Sequence, residues 1–331
     1  MSRTLVIIPH YNKLILLKEC LFHLQKQKYE NFDVVIVDNG SSDGSAEYIK
    51  KLSDSDKRYH SILLSDNTGF ACAVNRGFEF AIENSYDYSI LLNNDAYVED
   101  DFVKELVTAI KLGKNLFAVS SMMINYHDKD LIDSFGDGYS IFGWSMQGHV
   151  GEQVSSINTN EYCFSACGGA AIYNNSVLKE IGLLDENFFA YLEDIDLSYR
   201  AKLFGYDIKT CFAARCYHLG SATSGSKYNE FKVRTSARNN IYLIYKNMPL
   251  IQILLNITPL FLGMFIKQLF FIKKGFGLDY FFGIVDGFRT LGSIRKTEFK
   301  KYNPFYFVKI EIELIINFVK YIKNYTIRHR N

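Results

Sequence analysis

The stretch 91-LLNNDAYVEDD-101 decides the fold. Residues 88–92 are an apolar run that reads as a buried strand, and the run stops abruptly at Asn93, Asn94 and Asp95. Asn and Asp favour turns because their side chains bond nearby amides. In open α/β sheets, however, ligands bind just beyond the carboxyl ends of the strands. Which explanation applies depends on whether other strands deliver polar residues to the same edge.

Working outward, the first 110 or so residues alternate strand and helix signals. "TLVIIP" (4–9) is a short apolar run, and 14–27 carries apolar residues at helical spacing. "FDVVIVDNGSSDGS" (32–45) gives a second strand and a turn, where Ser41 or Ser42 is placed to cap the helix in "AEYIKKL". "SILLSDNTGF" (61–70) repeats the theme before a helix over 71–82, and another helix is predicted over 100–112. Repeated βα units predict a parallel sheet covered on both faces. Asp38, Asp66 with Asn67, and residues 93–95 then share one edge. Further on, "LFAVSSMMI" and "CGGAAIYN" read as strands, the second with glycines where something approaches closely. Residues 133–149, rich in glycine and aromatics, suit a loop covering a site, and 176–205 read as two helices joined by an aromatic turn.

The chain has 331 residues, 48% of them apolar, which excludes global disorder. Its net charge of +1 hides an asymmetry: residues 246–331 hold about 14 basic and 5 acidic groups, near +9, leaving about −8 for the rest. No cleavable signal peptide is read at the start, so the six cysteines are expected as reduced thiols in the cytosol. Cys163/Cys167 and Cys211/Cys216 are too loosely spaced for a zinc site and read better as buried structural cysteines. The first strand lacks Gly-x-Gly-x-x-Gly and no P-loop follows any strand, which argues against dinucleotide and P-loop chemistry. A divalent cation on Asp95 is the remaining way to handle phosphate.

"VIIPHYN", "VDNGSSDGS", "NTGFACAVNRGF", "LLNNDAYV", "GGAAIYNNSVLKEIGLLDENFFAYLEDIDLSYRAKLFGY" and "YHLGSATSG" occur in this order. Together they resemble the family 2 glycosyltransferases, in particular the bacterial rhamnosyltransferase-like branch, over residues 3–245. The resemblance implies a GT-A fold: a Rossmann-like nucleotide-binding sheet with helices on both faces (1–112), then a mixed sheet in the acceptor half (113–245). It implies a nucleotide-diphosphate sugar donor, dTDP-rhamnose or a UDP-sugar, and inversion at the anomeric carbon. Asp38 would accept a hydrogen bond from the base, with Pro9, Tyr11 and Asn12 as one pocket wall; Tyr11 either stacks or merely packs. Asn67, Gly69, Asn75 and Arg76 would lie against the nucleotide, although Asn67 could equally cap the following helix and Arg76 could lie at the surface. Asn94 and Asp95 close the pocket, Asp95 holding Mg²⁺ or Mn²⁺ together with His218. Asn93 replaces the first carboxylate of the fuller motif. Asp194 would be the general base, Glu193 would help hold the acceptor, and Asp196 would be structural. Gly168 and Gly169 would admit the sugar or diphosphate. Arg234 and Arg238 either meet the diphosphate or line a solvated helix face.

Residues 246–331 form the predicted helical tail. Residues 249–272 are apolar, but Pro259, Gly263 and Lys267 are expected to spoil a spanning helix, and later segments are amphipathic and basic. That pattern predicts a peripheral position on the cytoplasmic face of a membrane, with a helical bundle packed on the catalytic body or on a second subunit (a homodimer) as the alternative and no nucleic-acid partner. The acceptor would be a saccharide or lipid-linked saccharide of surface polysaccharide synthesis. A sugar-phosphate nucleotidyltransferase and a non-catalytic scaffold are the rival readings; "PHYNK" lacks the basic glycine-rich loop of the former.

Overall fold

The computed structural model describes residues 2–220, 228–299 and 302–328. Residues 221–225 of the "YHLGSATSG" motif lie outside the described residues. The first half runs β1 (Thr4–His10), α1 (Leu14–Gln25), β2 (Phe32–Asn39), α2 (Ser45–Ser55), β3 (Tyr59–Leu64), α3 (Phe70–Glu83), β4 (Tyr88–Leu92), β5 (Ala96–Val98) and α4 (Phe102–Lys111). It continues with β6 (Leu116–Asn125), β7 (Ile132–Ser134), β8 (Asp137–Tyr139), β9 (Ser145–Gln147), β10 (Ala170–Asn174), α5 (Asn175–Ile181), α6 (Glu193–Leu203) and β11 (Asp207–His218). Four helices follow: α7 (Glu230–Asn247), α8 (Leu250–Lys273), α9 (Gly277–Arg289) and α10 (Pro304–Arg328).

The main sheet has the order β3-β2-β1-β4-β10-β6-β11-β5, with β7 added beside β6. β1, β2, β3 and β4 are parallel, and β10 enters antiparallel between β4 and β6. The mixed second half is as predicted. Alternation along β1 explains the two-sided burial: Val6 and Ile8 join α1 and α4 in one core, while Leu5 and Ile7 join α3 and α5 in another. Pro9 is tolerated in this central strand because the ladder with β4 ends at Ile7.

One consequence of this topology positions the site. The parallel strands β1, β2 and β4 end on one edge, and antiparallel β10 begins there, Ala170 pairing with Leu92. β11, parallel to β6, brings His218 to the same edge opposite Ala96. The polar strand ends therefore converge.

Three local expectations fail. Neither Ser41 nor Ser42 caps α2: Gly44 precedes the helix, and Asp43 receives the Ser45 N–H and hydroxyl. Residues 133–149 are not only a loop, since β8 and β9 pair as a hairpin whose Trp144 donates to Gly263 O at 3.1 Å. Pro259 does not break α8, which runs unbroken through it. The helices of 246–331 pack on the rest of the chain: Leu260, Ile310 and Leu314 share one core with Tyr139, Phe188 and Tyr199. Cys211 and Cys216 are buried, while Cys163 and Cys167 are half-buried.

Candidate active site

The sheet edge forms the floor of a cleft of ≈ 1090 Å³, lined by residues of β1, the β2 to β4 ends, residues 167–169, residues 189–194 and the first turns of α7. Of the predicted residues, Pro9, Tyr11, Asn67, Gly69, Asn94, Asp95, Gly168, Gly169, Glu193, Asp194, His218 and Arg234 line it.

Asp38, near the end of β2, is buried and does not line the cleft. One carboxylate oxygen, Oδ2, accepts from Ser41 N at 3.1 Å, and the other is buried without a partner. A buried acceptor left unpaired costs roughly 1–3 kcal/mol, so this oxygen is the kind of group a ligand N–H would satisfy. Asn12 is outside the lining; its left-handed backbone (φ 54°) places its N–H on Ser41 Oγ and its own Oδ1 under Ser42 N. It braces the turn that carries Asp38.

Asn67 caps nothing. Its Oδ1 accepts from Gly69 N and from Asn39 Nδ2, while Asn39 Oδ1 accepts the Thr68 N–H and hydroxyl. Gly69 is required by protein rather than ligand: its φ is +90° and a Cβ there would collide with the Phe189 ring. Asn75 and Arg76 face away from the cleft. The Asn75 amide bonds both Leu184 O and Leu184 N, and Arg76 pairs with Glu79 and Glu186. Both hold the segment leading to α6, and neither lines the cleft.

At the end of β4, Asn94 Nδ2 meets His10 Nδ1 at 2.8 Å, and His10 Nε2 meets Ser45 Oγ at 2.8 Å. Burial lowers the His10 pKa despite the nearby charges of Asp38 and Asp43. The neutral ring accepts from Asn94 and donates to Ser45, which fixes the Asn94 side chain. Asp95 faces His218, with Oδ1 3.4 Å from Nε2. Asp133 on β7 takes the other ring nitrogen, Nδ1, at 2.8 Å. Burial would lower the His218 pKa, but hydrogen bonds and charge from Asp133 and Asp95 outweigh it and push it up to about 9. The Asp95 carboxylate is a suitable ligand for Mn²⁺ or Mg²⁺, and the His218 imidazole would join it only after an incoming ion displaced its Nε2 proton. Among the described residues no three His, Cys, Asp or Glu side chains cluster as a metal cage. Asp95 and His218 are the residues here that would hold such an ion.

Glu193 and Asp194 open α6. Asp194 Oδ2 accepts from Gly168 N at 3.1 Å, and Oδ1 from Ile195 N at 2.8 Å. Burial raises its pKa although these N–H groups pull the other way. Burial and then the Asp194 charge raise Glu193, whose Oε2 has no partner. Gly169 has another duty: its carbonyl accepts from Asn93 N at 2.8 Å, tying β10 to the β4 end. Asp196 is structural as predicted, buried under Arg200, Lys246 and Asn247.

The backbone entering α6 is strained: Phe189, Tyr191 and Leu192 all have left-handed φ between 62° and 70°. The fully buried Asn239 of α7 accounts for it. Its Nδ2 lies 2.9, 2.8 and 2.7 Å from the carbonyls of Phe188, Ala190 and Tyr191. Arg238 donates to Asn239 Oδ1 and to Phe188 O, so it braces the same loop and does not reach the cleft. His10, Asn39, Asp133 and Asn239 went unread in the sequence. His10 and Asn39 sit inside quoted motifs; Asp133 and Asn239 carry no local signal.

The class this fold and cleft define is the GT-A glycosyltransferase. The mannosyltransferase PcManGT from Pyrobaculum calidifontis, solved with GDP-Man and Mn²⁺, superposes with a TM-score of 0.55 at 15% identity, covering 96% of this chain and 86% of that one. GalNAc-T7, solved with UDP, GalNAc and Mn²⁺, gives 0.59 at 13% identity over 74% of this chain and 48% of that one. The family model "Glycosyl transferase family 2" matches residues 5–182, and the chain belongs to that family. It is 26% identical to the poly-beta-1,6-N-acetyl-D-glucosamine synthase of Staphylococcus aureus (strain COL) over 227 residues, 68% of this chain and 52% of the relative. The Staphylococcus epidermidis synthase gives 27% over 230 residues. The chain spans about half the length of the curated relatives it matches.

Proposed function

We propose that the chain is an inverting glycosyltransferase that moves a sugar from a nucleotide-diphosphate donor, dTDP-rhamnose or a UDP-sugar, to a hydroxyl of a saccharide or lipid-linked acceptor in bacterial surface polysaccharide synthesis. The observation that carries it is the shared edge: the Asp95–His218 pair and the Asp194 carboxylate open on one cleft, and Asp38, with one buried unpaired oxygen, stands near the end of the neighbouring parallel strand β2. The polysaccharide assignment is supported by the synthases of the two staphylococci.

In this reading Asp38 Oδ1 accepts an N–H of the base, and Asn94, held by His10, shapes the pocket beside it. Asp95 and His218 would hold Mg²⁺ or Mn²⁺, which when bound neutralises the charge of the donor diphosphate. Asp194 removes the acceptor hydroxyl proton as that oxygen attacks the anomeric carbon from the face opposite the diphosphate. Its raised pKa improves the match to a proton taken near neutral pH, and Gly168 N–H keeps it aimed. The unpartnered Glu193 oxygen accepts a second acceptor hydroxyl. Phe189 and Tyr191 line the cleft beside them and exclude water. The chain works on the cytoplasmic face of a membrane, peripherally.

A melting-temperature screen of nucleoside diphosphates and their sugars with Mn²⁺ tests this directly, since ligands of the native state raise the midpoint. At least one nucleotide class should raise it in a manner reversed by EDTA. No response to any nucleotide would contradict the assignment.

A further inference from the structure

Helix α8 is built inside out. Its buried residues, Gln252, Asn256, Leu260 and Gly263, fall at helical spacing on one stripe. Half of that stripe is polar, and the polar groups are engaged. Gln252 Nε2 and Asn256 Nδ2 both donate to Glu311 Oε2 on α10, at 2.7 and 2.9 Å. Tyr199 of α6 donates to Gln252 Oε1. Gly263 lies against the Phe142 carbonyl so closely that a Cβ would collide with it.

The opposite face is apolar and uncovered. Ile251, Leu255 and Phe261 are 70%, 72% and 68% exposed. Leu278, Phe281 and Phe282 of α9 and Phe305, Ile312 and Val319 of α10 are exposed as well. A surface of this extent marks a protein or membrane contact.

Charge selects the occupant. Three of the acids in 246–331 are turned inward or paired: Glu311 with Gln252 and Asn256, Glu313 with Lys202, and Asp286 with Arg234. Lys273, Lys274, Arg289, Lys320 and Lys323 are exposed on the same three helices. Two copies meeting face to face would bring this positive charge together, whereas anionic lipid headgroups complement it. Spanning is disfavoured for a separate reason. Pulling α8 into lipid would strip Gln252 and Asn256 of Glu311, at several kcal/mol for each unsatisfied group.

We propose that the outward face of α8, α9 and α10 docks on an anionic bilayer, with α8 lying along the interface and not crossing it. The proposal rests on the glycosyltransferase reading only for what the docked chain reaches. Arg234 lines the cleft, pairs with Asp286 of α9 and sits 5.9 Å from the Phe282 ring of the apolar face. The cleft rim is therefore continuous with the docking face, which suits an acceptor whose head group is held at the membrane surface.

Flotation of the full chain with phosphatidylglycerol/phosphatidylcholine vesicles tests docking. The chain should float, at least about 10-fold less with phosphatidylcholine alone. The double variant Leu255→Asp/Phe261→Asp should stay in solution with an unchanged melting midpoint and unchanged nucleotide response. Sidedness is read separately in inverted inner-membrane vesicles, with Leu250→Cys and Lys274→Cys each treated with an impermeant maleimide. Both positions should react without lysis, relative to the parent chain. Reaction at one end only would mean that α8 spans and would overturn the proposal. So would a chain that ignores vesicles and is converted from dimer to monomer by the double variant. Loss of nucleotide response in a chain that still floats would strike the catalytic reading and leave the docking face intact.

Discussion

Asn239→Ala is the most informative lesion away from the cleft itself. The Asn239 amide has two hydrogens for three carbonyls, those of Phe188, Ala190 and Tyr191. Phe188 O keeps the Arg238 guanidinium after the substitution, so two half-buried acceptors, Ala190 O and Tyr191 O, lose their donor. At roughly 1–3 kcal/mol each, tempered by relaxation, stability should fall by about 2–4 kcal/mol. For a chain of this size that is a midpoint lower by about 3–6 °C. The larger effect is on chemistry. Without the clamp, the left-handed residues Phe189, Tyr191 and Leu192 relax toward ordinary dihedrals, and Asp194 moves with the start of α6. A displacement of about 1 Å at a reacting group costs on the order of 100-fold in rate. Nucleoside diphosphate affinity should hold within about 3-fold, since Asp38 and Asp95 sit on other elements. The assay is single-turnover release of nucleoside diphosphate beside calorimetric nucleotide binding, with Asn175→Ala as a matched loss of a buried amide. Asn175 bonds Ser89 and Tyr86 O on the far side of the sheet, so that variant should melt lower and keep its rate. Asn239→Ser, which restores one short donor, should recover part of the rate and decides the matter if the alanine variant does not fold. Rates lost no more than in Asn175→Ala would refute the positioning role.

Other outcomes follow from the carboxylates. Burial raises Glu193 and Asp194, so the folded state holds protons that the unfolded chain releases, and stability falls as pH climbs above the ordinary carboxylate range. Glu193→Gln should therefore raise the melting midpoint at pH 8 by at least ~1 kcal/mol equivalent and leave it unchanged near pH 4; equal effects at both values would refute the shift. Asp196 runs the other way. The charges of Lys246 and Arg200 outweigh its burial and lower its pKa, so its contribution is present at neutral pH and lost in acid. Asp196→Asn should cost about 3–5 kcal/mol at pH 7, and the gap to wild type should narrow in acid. Asp95→Ala should abolish the EDTA-sensitive part of nucleoside diphosphate binding, measured by calorimetry; retained metal dependence would remove Asp95 from the ion.

The sheet was legible because its signals are local. Period-two burial, strand-end Asp and Asn, and turn glycines all sit within a few residues of one another. Asp38, Asp95 and Asp194 are named through the family resemblance of the motifs around them; Asp95 and Asp194 line one cleft, and Asp38 stands near the end of β2. Asn75 and Arg76 misled for the converse reason: their motif is local, but their partners Leu184 and Glu186 lie 109 and 110 residues away. Asp133 meets His218 across 85 residues and Asn239 meets Tyr191 across 48, separations at which one sequence carries no pairing signal. The polar stripe of α8 looked like a defect in a spanning helix. With Glu311 facing it, the stripe is the side that packs inward.

The central claim, that Asp194 takes the acceptor proton while other residues bind the donor, comes down to one paired measurement on Asp194→Asn. The substitution keeps the size of the side chain, and its amide oxygen can still accept from Gly168 N–H, but it removes the base. Donor affinity by calorimetry should match the wild type, and sugar transfer to a lipid-linked acceptor should fall by roughly 100- to 10,000-fold. Transfer near the wild-type rate with normal donor binding would contradict the account and pass the role to Glu193.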